Sequence, residues 1–330
     1  MNKRNAVFSE GTSQRSRREF LAATALFAAA MSVPGCKSVE DRQGEVPILD
    51  IHQHVGYMDR TNEALIAHQR AMGVTKSILQ PAGRAVNSPT THEGFGNGLQ
   101  AKCLGNEACY ELAKANPKDF WFAANEVPDV DGAAAEIEKY LKLGAVGIGE
   151  QKFGLECDSE PMQRLYQIAT DYRVPILMHW QHKMYNYGLE RFDTMLKKYP
   201  KTIFIGHAQT WWANIDQNHK DQAVLYPKGA VTKGGVTDRY LSDYPNMYGD
   251  LSAGSGLNAL KRDEANARDF LIRHQDKLVF GSDCTDVEGT GTKCIGAQTI
   301  AMVRKLVPEK EVQRKIFYKN AERIFRISLP

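Results

Sequence analysis

At 330 residues, with 42% hydrophobic and 25% charged content, the chain can bury a substantial core, as one large α/β barrel or two smaller domains. Its formal charge of +3 disappears once residues 1–36 are set apart, because that segment holds five basic residues (Lys3, Arg4, Arg15, Arg17, Arg18) and two acidic ones (Glu10, Glu19). A near-neutral remainder leaves no electrostatic case for binding nucleic acid or an anionic membrane surface.

Near the start, "SRREFL" (16–21) sets Arg17 and Arg18 ahead of the apolar run "FLAATALFAAAMSV" and the small-residue site "PGC". The pattern resembles a twin-arginine export signal, and the run is short for a membrane span. Residues 1–36 are therefore expected to stand outside the fold, with 37–45 a polar linker and 46–330 a single domain. Val33, Pro34 and Gly35 before Cys36 resemble a loose lipoprotein cleavage box, which makes Cys36 a candidate for acylation and membrane attachment. This route implies a periplasmic or lipid-anchored location, and it would allow metal loading in the cytoplasm before export.

Eight short apolar runs rich in Val, Ile and Phe follow: 46–54, 74–82, 119–127, 145–153, 174–182, 202–209, 246–253 and 277–284. Segments of helical periodicity lie between them at 61–73, 131–143, 160–172, 188–199 and 263–275. The alternation predicts parallel βαβ units, and eight of them in one domain predict a (β/α)₈ barrel. A doubly wound open sheet is the main alternative, but no Gly-x-Gly-x-x-Gly turn opens a helix. Stretches 83–98 and 211–235 read as long loops over the barrel mouth. The last helix, "EVQRKIFYKNAERIFRI", is amphipathic and is expected to pack on the outside.

Beyond Cys36 there are cysteines at 103, 109, 157, 284 and 294. No Cys-x-x-Cys pair is present, which argues against a zinc-thiolate site. The spacings of Cys103 with Cys109 and of Cys284 with Cys294 allow two local disulfides with Cys157 left over, free buried thiols being the alternative.

The chemistry-bearing residues gather at strand ends. In "PILDIHQHVG" (47–56), alternation puts Asp50, His52 and His54 on one face. Glu150 and Lys152 end the fourth run, His179 the fifth, His207 the sixth and Asp283 the eighth. In a parallel barrel those ends meet at one face. Such nitrogen and oxygen donors suit a divalent metal of the zinc type, one ion or two, with a position left open for water whose pKa falls to about 7.

With "DIHQH", "GIGEQK", "MHW", "GHAQTWW", "GSDC" and "NAERIF" in that order, the chain resembles the amidohydrolase superfamily of metal-dependent barrel hydrolases, in its amidohydrolase-related branch. The resemblance covers essentially all of 46–330. It implies His52, His54 and His179 as metal ligands, and Asp283 as both ligand and proton acceptor. For His207 it implies either a second metal or, beside one metal, polarising the substrate or orienting water. At strand four, family members bridge two metals with a carboxylate or a carboxylated lysine. A salt-bridged Glu150 and Lys152 is the preferred expectation, since the branch resembles mononuclear sites. His182, Trp211, Trp212 and Arg239 are candidate substrate contacts, the tryptophans forming an aromatic wall or a plain hydrophobic lid, with Lys228 flanking the same stretch as Arg239. His68, His92, His219 and His274 lack a strand-end context.

The expected activity is hydrolysis of an amide, lactone or other ester of a small molecule. The nearest rival keeps the metal site but makes it a non-oxidative decarboxylase or hydratase of an aromatic or unsaturated acid. A nuclease reading conflicts with the neutral charge. A non-catalytic protein holding a carbohydrate or other small molecule conflicts with the ligand set, since a structural zinc site closes all four positions with protein ligands. The oligomeric state is left open.

Overall fold

The β-branched and aromatic runs become eight short strands in the computed structural model, which describes residues 45–83 and 103–329. They are β1 Leu49–Gln53, β2 Lys76–Leu79, β3 Phe120–Phe122, β4 Ile148–Gln151, β5 Ile176–His179, β6 Phe204–His207, β7 Met247–Asp250 and β8 Leu278–Val279. β1 to β3 pair in sequence order, as do β4 to β8, all in parallel. Backbone hydrogen bonds join the two sets: Gly149 N–H donates to the Ala124 carbonyl (2.7 Å) beside β4, and Ile51 N–H to the Phe280 carbonyl (3.1 Å) between β1 and β8. The result is the expected (β/α)₈ barrel. Residues 1–36 with Cys36, residues 37–44 of the linker and nearly all of the loop 83–98 lie outside the described residues.

All five anticipated helical segments form, at Asn62–Met72, Ala133–Lys142, Glu160–Tyr172, Asp193–Lys198 and Glu264–Arg273. The first shows how local sequence sets their ends: Thr61 Oγ1 accepts the Ala64 N–H (3.2 Å), and Gly73 closes the helix at φ 83°, a conformation that side chains resist. Among the described residues no helix is long and apolar enough to cross a membrane.

Two apolar layers hold the barrel. Leu49, Ile51, Ile78, Ala123, Leu177, Ile205 and Val279 fill its interior, while Phe122, Met178, Phe204 and Met247 pack outward with the surrounding helices. The C-terminal segment departs from expectation. Its helices Lys310–Arg314 and Asn320–Phe325 flank a π turn at Lys315–Lys319, and Ala321, Ile324 and Phe325 join the interior layer instead of lying outside it. Phe325 lies where a Cβ on Gly147, just before β4, would be 3.0 Å from its ring, so this segment closes the barrel at the N-terminal ends of the strands. Functional residues are thereby confined to the opposite end.

Cys103, Cys109, Cys157, Cys284 and Cys294 are buried and none is in a disulfide, so neither local disulfide is formed. Trp211 and Trp212 form neither a substrate wall nor a lid. They lie in the short helix Gln209–Ala213, with 0% and 2% exposure. Trp211 packs over Gly206, where a Cβ would come within 2.5 Å of the indole, and Trp212 Nε1 donates to the Asp250 carbonyl (2.9 Å). Gly206→Ala is expected to destabilise the fold by about 1–3 kcal/mol through overpacking, read as a lower denaturant midpoint with an unchanged slope; an unchanged midpoint would show that the indole moves aside freely.

Candidate active site at the carboxyl ends of the strands

β1 slips register between Asp50 and Gln53, so simple alternation does not hold across it. Asp50 is separated from the histidines: its carboxylate accepts Ser282 N–H (2.9 Å), Ser282 Oγ (2.5 Å) and His52 N–H (3.0 Å), tying β1 to the segment after β8. Burial, offset by the Ser282 contacts, raises its pKa to about 6. His52 and His54 project into the mouth, each oriented through Nδ1. His52 Nδ1 meets Asp250 Oδ2 at 2.8 Å, and His54 Nδ1 meets the Gln80 carbonyl at 2.7 Å. Since a carbonyl only accepts, His54 carries its proton on Nδ1, and the same argument holds for His52 against the carboxylate. The two Nε2 atoms then lie 3.2 Å apart, a separation that a shared proton or a metal cation beside them would relieve.

His207, opposite His179 in the β5–β6 register, is set the same way. Ser252 Oγ donates to Asp250 Oδ2 (2.6 Å) and accepts from His207 Nδ1 (2.9 Å), which leaves His207 Nε2 buried without a partner. Asp283, four residues past β8, adopts φ 45° while its N–H donates to the His52 carbonyl (2.8 Å). This left-handed residue delivers a carboxylate whose Oδ1 is 3.4 Å from His54 Nε2 and whose Oδ2 is 3.7 Å from His207 Nε2.

Glu150 stands at the centre. Its Oε2 is 3.6 Å from both His52 Nε2 and His54 Nε2, whereas Oε1 is 3.6 Å from His207 Nε2 and in direct contact with His179 Nδ1. Each carboxylate oxygen thus faces a different pair of imidazoles. Lys152 forms no ion pair with it: among the described residues its ammonium lies beside Tyr185, 5.5 Å from the ring centroid. The salt-bridged Glu150 and Lys152 is therefore corrected, because the backbone after β4 carries Lys152 away from the centre that Glu150 occupies. His179 is engaged at both nitrogens, Nδ1 by Glu150 and Nε2 by Gln181 Oε1 at 3.1 Å.

The electrostatics match the geometry. Burial opposes charge on Glu150 and Asp283, yet neighbouring imidazoles hold Glu150 well below the usual range and Asp283 at about 2. Burial also drives His207 down, to about 3, with His52 adding to the shift. The pocket therefore keeps ionised carboxylates and a neutral imidazole in one buried space. Among the described residues, Glu150 Oε2, Asp283 Oδ1 and His207 Nε2 all lack a hydrogen-bond partner. Two overlapping donor groups, His52 with Glu150 and His207, and His52 with His54 and Asp283, have ligand atoms mutually within 4.8 Å. Orphaned lone pairs on carboxylate oxygen and imidazole nitrogen fit a divalent cation.

Asp250 and Ser252 escaped the sequence reading, although Asp250 ends β7 and the same strand-end signal applies to it. Asp250→Asn is expected to weaken metal affinity about 10–100-fold, measured by competition with a chromogenic chelator; unchanged affinity would remove the orienting role.

Beside this cluster lies a cavity of about 1000 Å³ whose lining includes Gln181, His182, Lys183, Arg191, His219 and Arg239. Gln181, the partner of His179, connects the two. His182 and Arg239 line this cavity, whereas Lys228 does not.

Fold and site together define an enzyme of the hydrolase or lyase class, built to use a divalent metal at the mouth of a (β/α)₈ barrel. The amidohydrolase family model matches residues 49–327, and the chain belongs to that family. No curated protein matches the chain. Among solved structures it is similar to an Acinetobacter baumannii protein described as a probable 2-pyrone-4,6-dicarboxylic acid hydrolase with citric acid bound (15% identity, covering 85% of this chain and 99% of that one, TM-score 0.54). It is likewise similar to 5-carboxyvanillate decarboxylase from Sphingomonas paucimobilis (15%, 86% and 100%, TM-score 0.53). A third is a dihydroxybenzoic acid decarboxylase from Polaromonas sp. JS666 with bound manganese and the inhibitor 2-nitroresorcinol (15%, 85% and 97%, TM-score 0.53). At such identity these likenesses concern the fold.

Proposed function

We propose that the chain is a hydrolase cleaving a lactone, ester or amide of a small anionic molecule, at a two-ion centre bridged by Glu150. The observation that carries this reading is the division of the imidazoles by that carboxylate. His52, His54 and Asp283 would hold one zinc-type ion on the Oε2 side, and His179, through Nδ1, and His207 the other on the Oε1 side. When bound, such ions polarise a carbonyl and lower the pKa of water to about 7. Asp283 Oδ1, which has no hydrogen-bond partner among the described residues, accepts the proton of the attacking water and returns it to the leaving oxygen or nitrogen. Asp250 and Ser252 keep the His52 and His207 tautomers in place through the reaction. Lys183 and Arg239 offer cationic groups on the adjoining cavity for an anionic substituent. Arg17 and Arg18 support the further proposal that the enzyme is exported, with Cys36 available for lipid attachment.

A lyase reading uses the same donors, and Lys183 and Arg239 on the adjoining cavity would serve it by holding a substrate carboxylate for loss as carbon dioxide. Incubating the zinc- or manganese-loaded enzyme with aromatic lactones, esters and hydroxybenzoates in isotopically labelled water separates the two. The hydrolase reading predicts label in a new product carboxylate, loss of turnover on chelation and recovery on metal return. Carbon dioxide release with no label in the remaining organic product would establish the lyase instead.

A further inference from the structure

After Asp283 the chain folds back over the helix Asn62–Met72 and gathers sulfur and nitrogen donors apart from the barrel centre. Cys284 Sγ and Cys294 Sγ are 3.7 Å apart, and Cys294 Sγ is 3.4 Å from His68 Nε2 and 3.8 Å from Met72 Sδ. His68, Cys284 and Cys294 place their donor atoms mutually within 4.8 Å. All four residues are buried, and His68 and Met72 share a helix face because they are one turn apart. We propose that His68, Cys284 and Cys294 bind a tetrahedral zinc-type ion, with the Met72 thioether in the fourth position, as a structural clamp on the loop that follows the catalytic aspartate.

Three observations carry the assignment. Zinc bonds of about 2.3 Å to sulfur and about 2.0–2.1 Å to nitrogen, opened at tetrahedral angles, put sulfurs about 3.8 Å apart and sulfur about 3.5 Å from nitrogen, which the separations here match. His68 is 0% exposed, yet its Nδ1 has no hydrogen-bond partner and its Nε2 meets sulfur, whereas buried imidazoles are normally held by oxygen or nitrogen partners. The charges also close: two thiolates, a neutral imidazole and a thioether around a dication leave no net charge in an apolar pocket. Binding releases two thiol protons to solvent and moves no electrons.

The loop is already shaped for this. Arg60 Nη1 donates to the Cys284 and Asp286 carbonyls, both at 2.9 Å, and Cys294 Sγ accepts Ala297 N–H (3.3 Å) at the start of the helix Ile295–Leu306. Cysteine spacing alone argued against such a site because its nitrogen ligand comes from a helix near the other end of the domain.

The test uses the full chain, stripped of metal under reducing conditions and loaded with Co(II). Thiolate-to-cobalt charge transfer in the near ultraviolet and strong tetrahedral ligand-field bands are expected in the wild type and in His52→Ala. They are expected to be lost in Cys284→Ser and Cys294→Ser and weakened in His68→Gln. No thiolate band in reduced wild type, or a band that survives both serine variants, would overturn the site. So would a Cys284–Cys294 disulfide in the isolated protein that binds no cobalt after reduction. Should the serine variants fail to fold, X-ray absorption at the zinc edge of the wild type decides: a sulfur shell at about 2.3 Å supports the site, and a nitrogen and oxygen shell alone contradicts it. None of these readouts depends on the barrel centre being active.

Discussion

Asp283→Asn is expected to lower turnover about 10²–10⁴-fold, equivalent to about 3–5 kcal/mol of transition-state stabilisation, on whichever substrate the labelled-water screen identifies. Asparagine preserves the shape of the side chain and its left-handed backbone, which favours Asn and Asp over other residues. It cannot accept the proton of the attacking water. KM is expected to change little, because Lys183 and Arg239, which would meet the anionic group, line a separate cavity. Circular dichroism and the denaturation midpoint should stay near wild type. If turnover were retained, the proton would have to go to a group other than Asp283, and the assigned role would fail.

Glu150→Gln is the second large effect. The variant is expected to bind one equivalent of metal less than the wild type, in parallel elemental analyses, and to lose activity by a factor of at least about 10². The amide keeps one oxygen for one set of imidazoles but loses the charge that balances the other. Lys152→Ala, by contrast, should leave the metal content unchanged, because that ammonium sits by Tyr185 and outside the donor cluster. Loss of metal on removal of Lys152 with retention on removal of Glu150 would reverse the assignment of the bridge.

Much of the fold was legible because parallel strands buried on both faces are written as short β-branched runs, and all eight were found near their observed bounds. The donors were legible for a related reason: in a parallel barrel the carboxyl ends of the strands share one face, so His52, Glu150, His207 and Asp283 could be grouped without coordinates. Facing direction was not. The register slip in β1 detaches Asp50 from the histidines, and strict alternation has no way to show a slip. Trp211 and Trp212 read as a substrate wall or a hydrophobic lid because they follow a strand-end histidine, but Gly206 leaves a vacancy that the indole of Trp211 fills. The last helix was read as external from its amphipathic pattern, which is the same whether the apolar stripe meets other helices or plugs the barrel floor. His68 was set aside because a helix-borne histidine carries no strand-end signal, and its neighbours Cys284 and Cys294 lie more than two hundred residues away in sequence.

The most direct measurement is a crystal structure of metal-loaded protein with anomalous difference maps recorded at the zinc and manganese absorption edges. The two-ion account predicts two maxima at the barrel mouth on either side of Glu150, one beside His52, His54 and Asp283 and the other beside His179 and His207. A single maximum there, held by His52, His54, His179 and Asp283 with Glu150 uncoordinated, would contradict it.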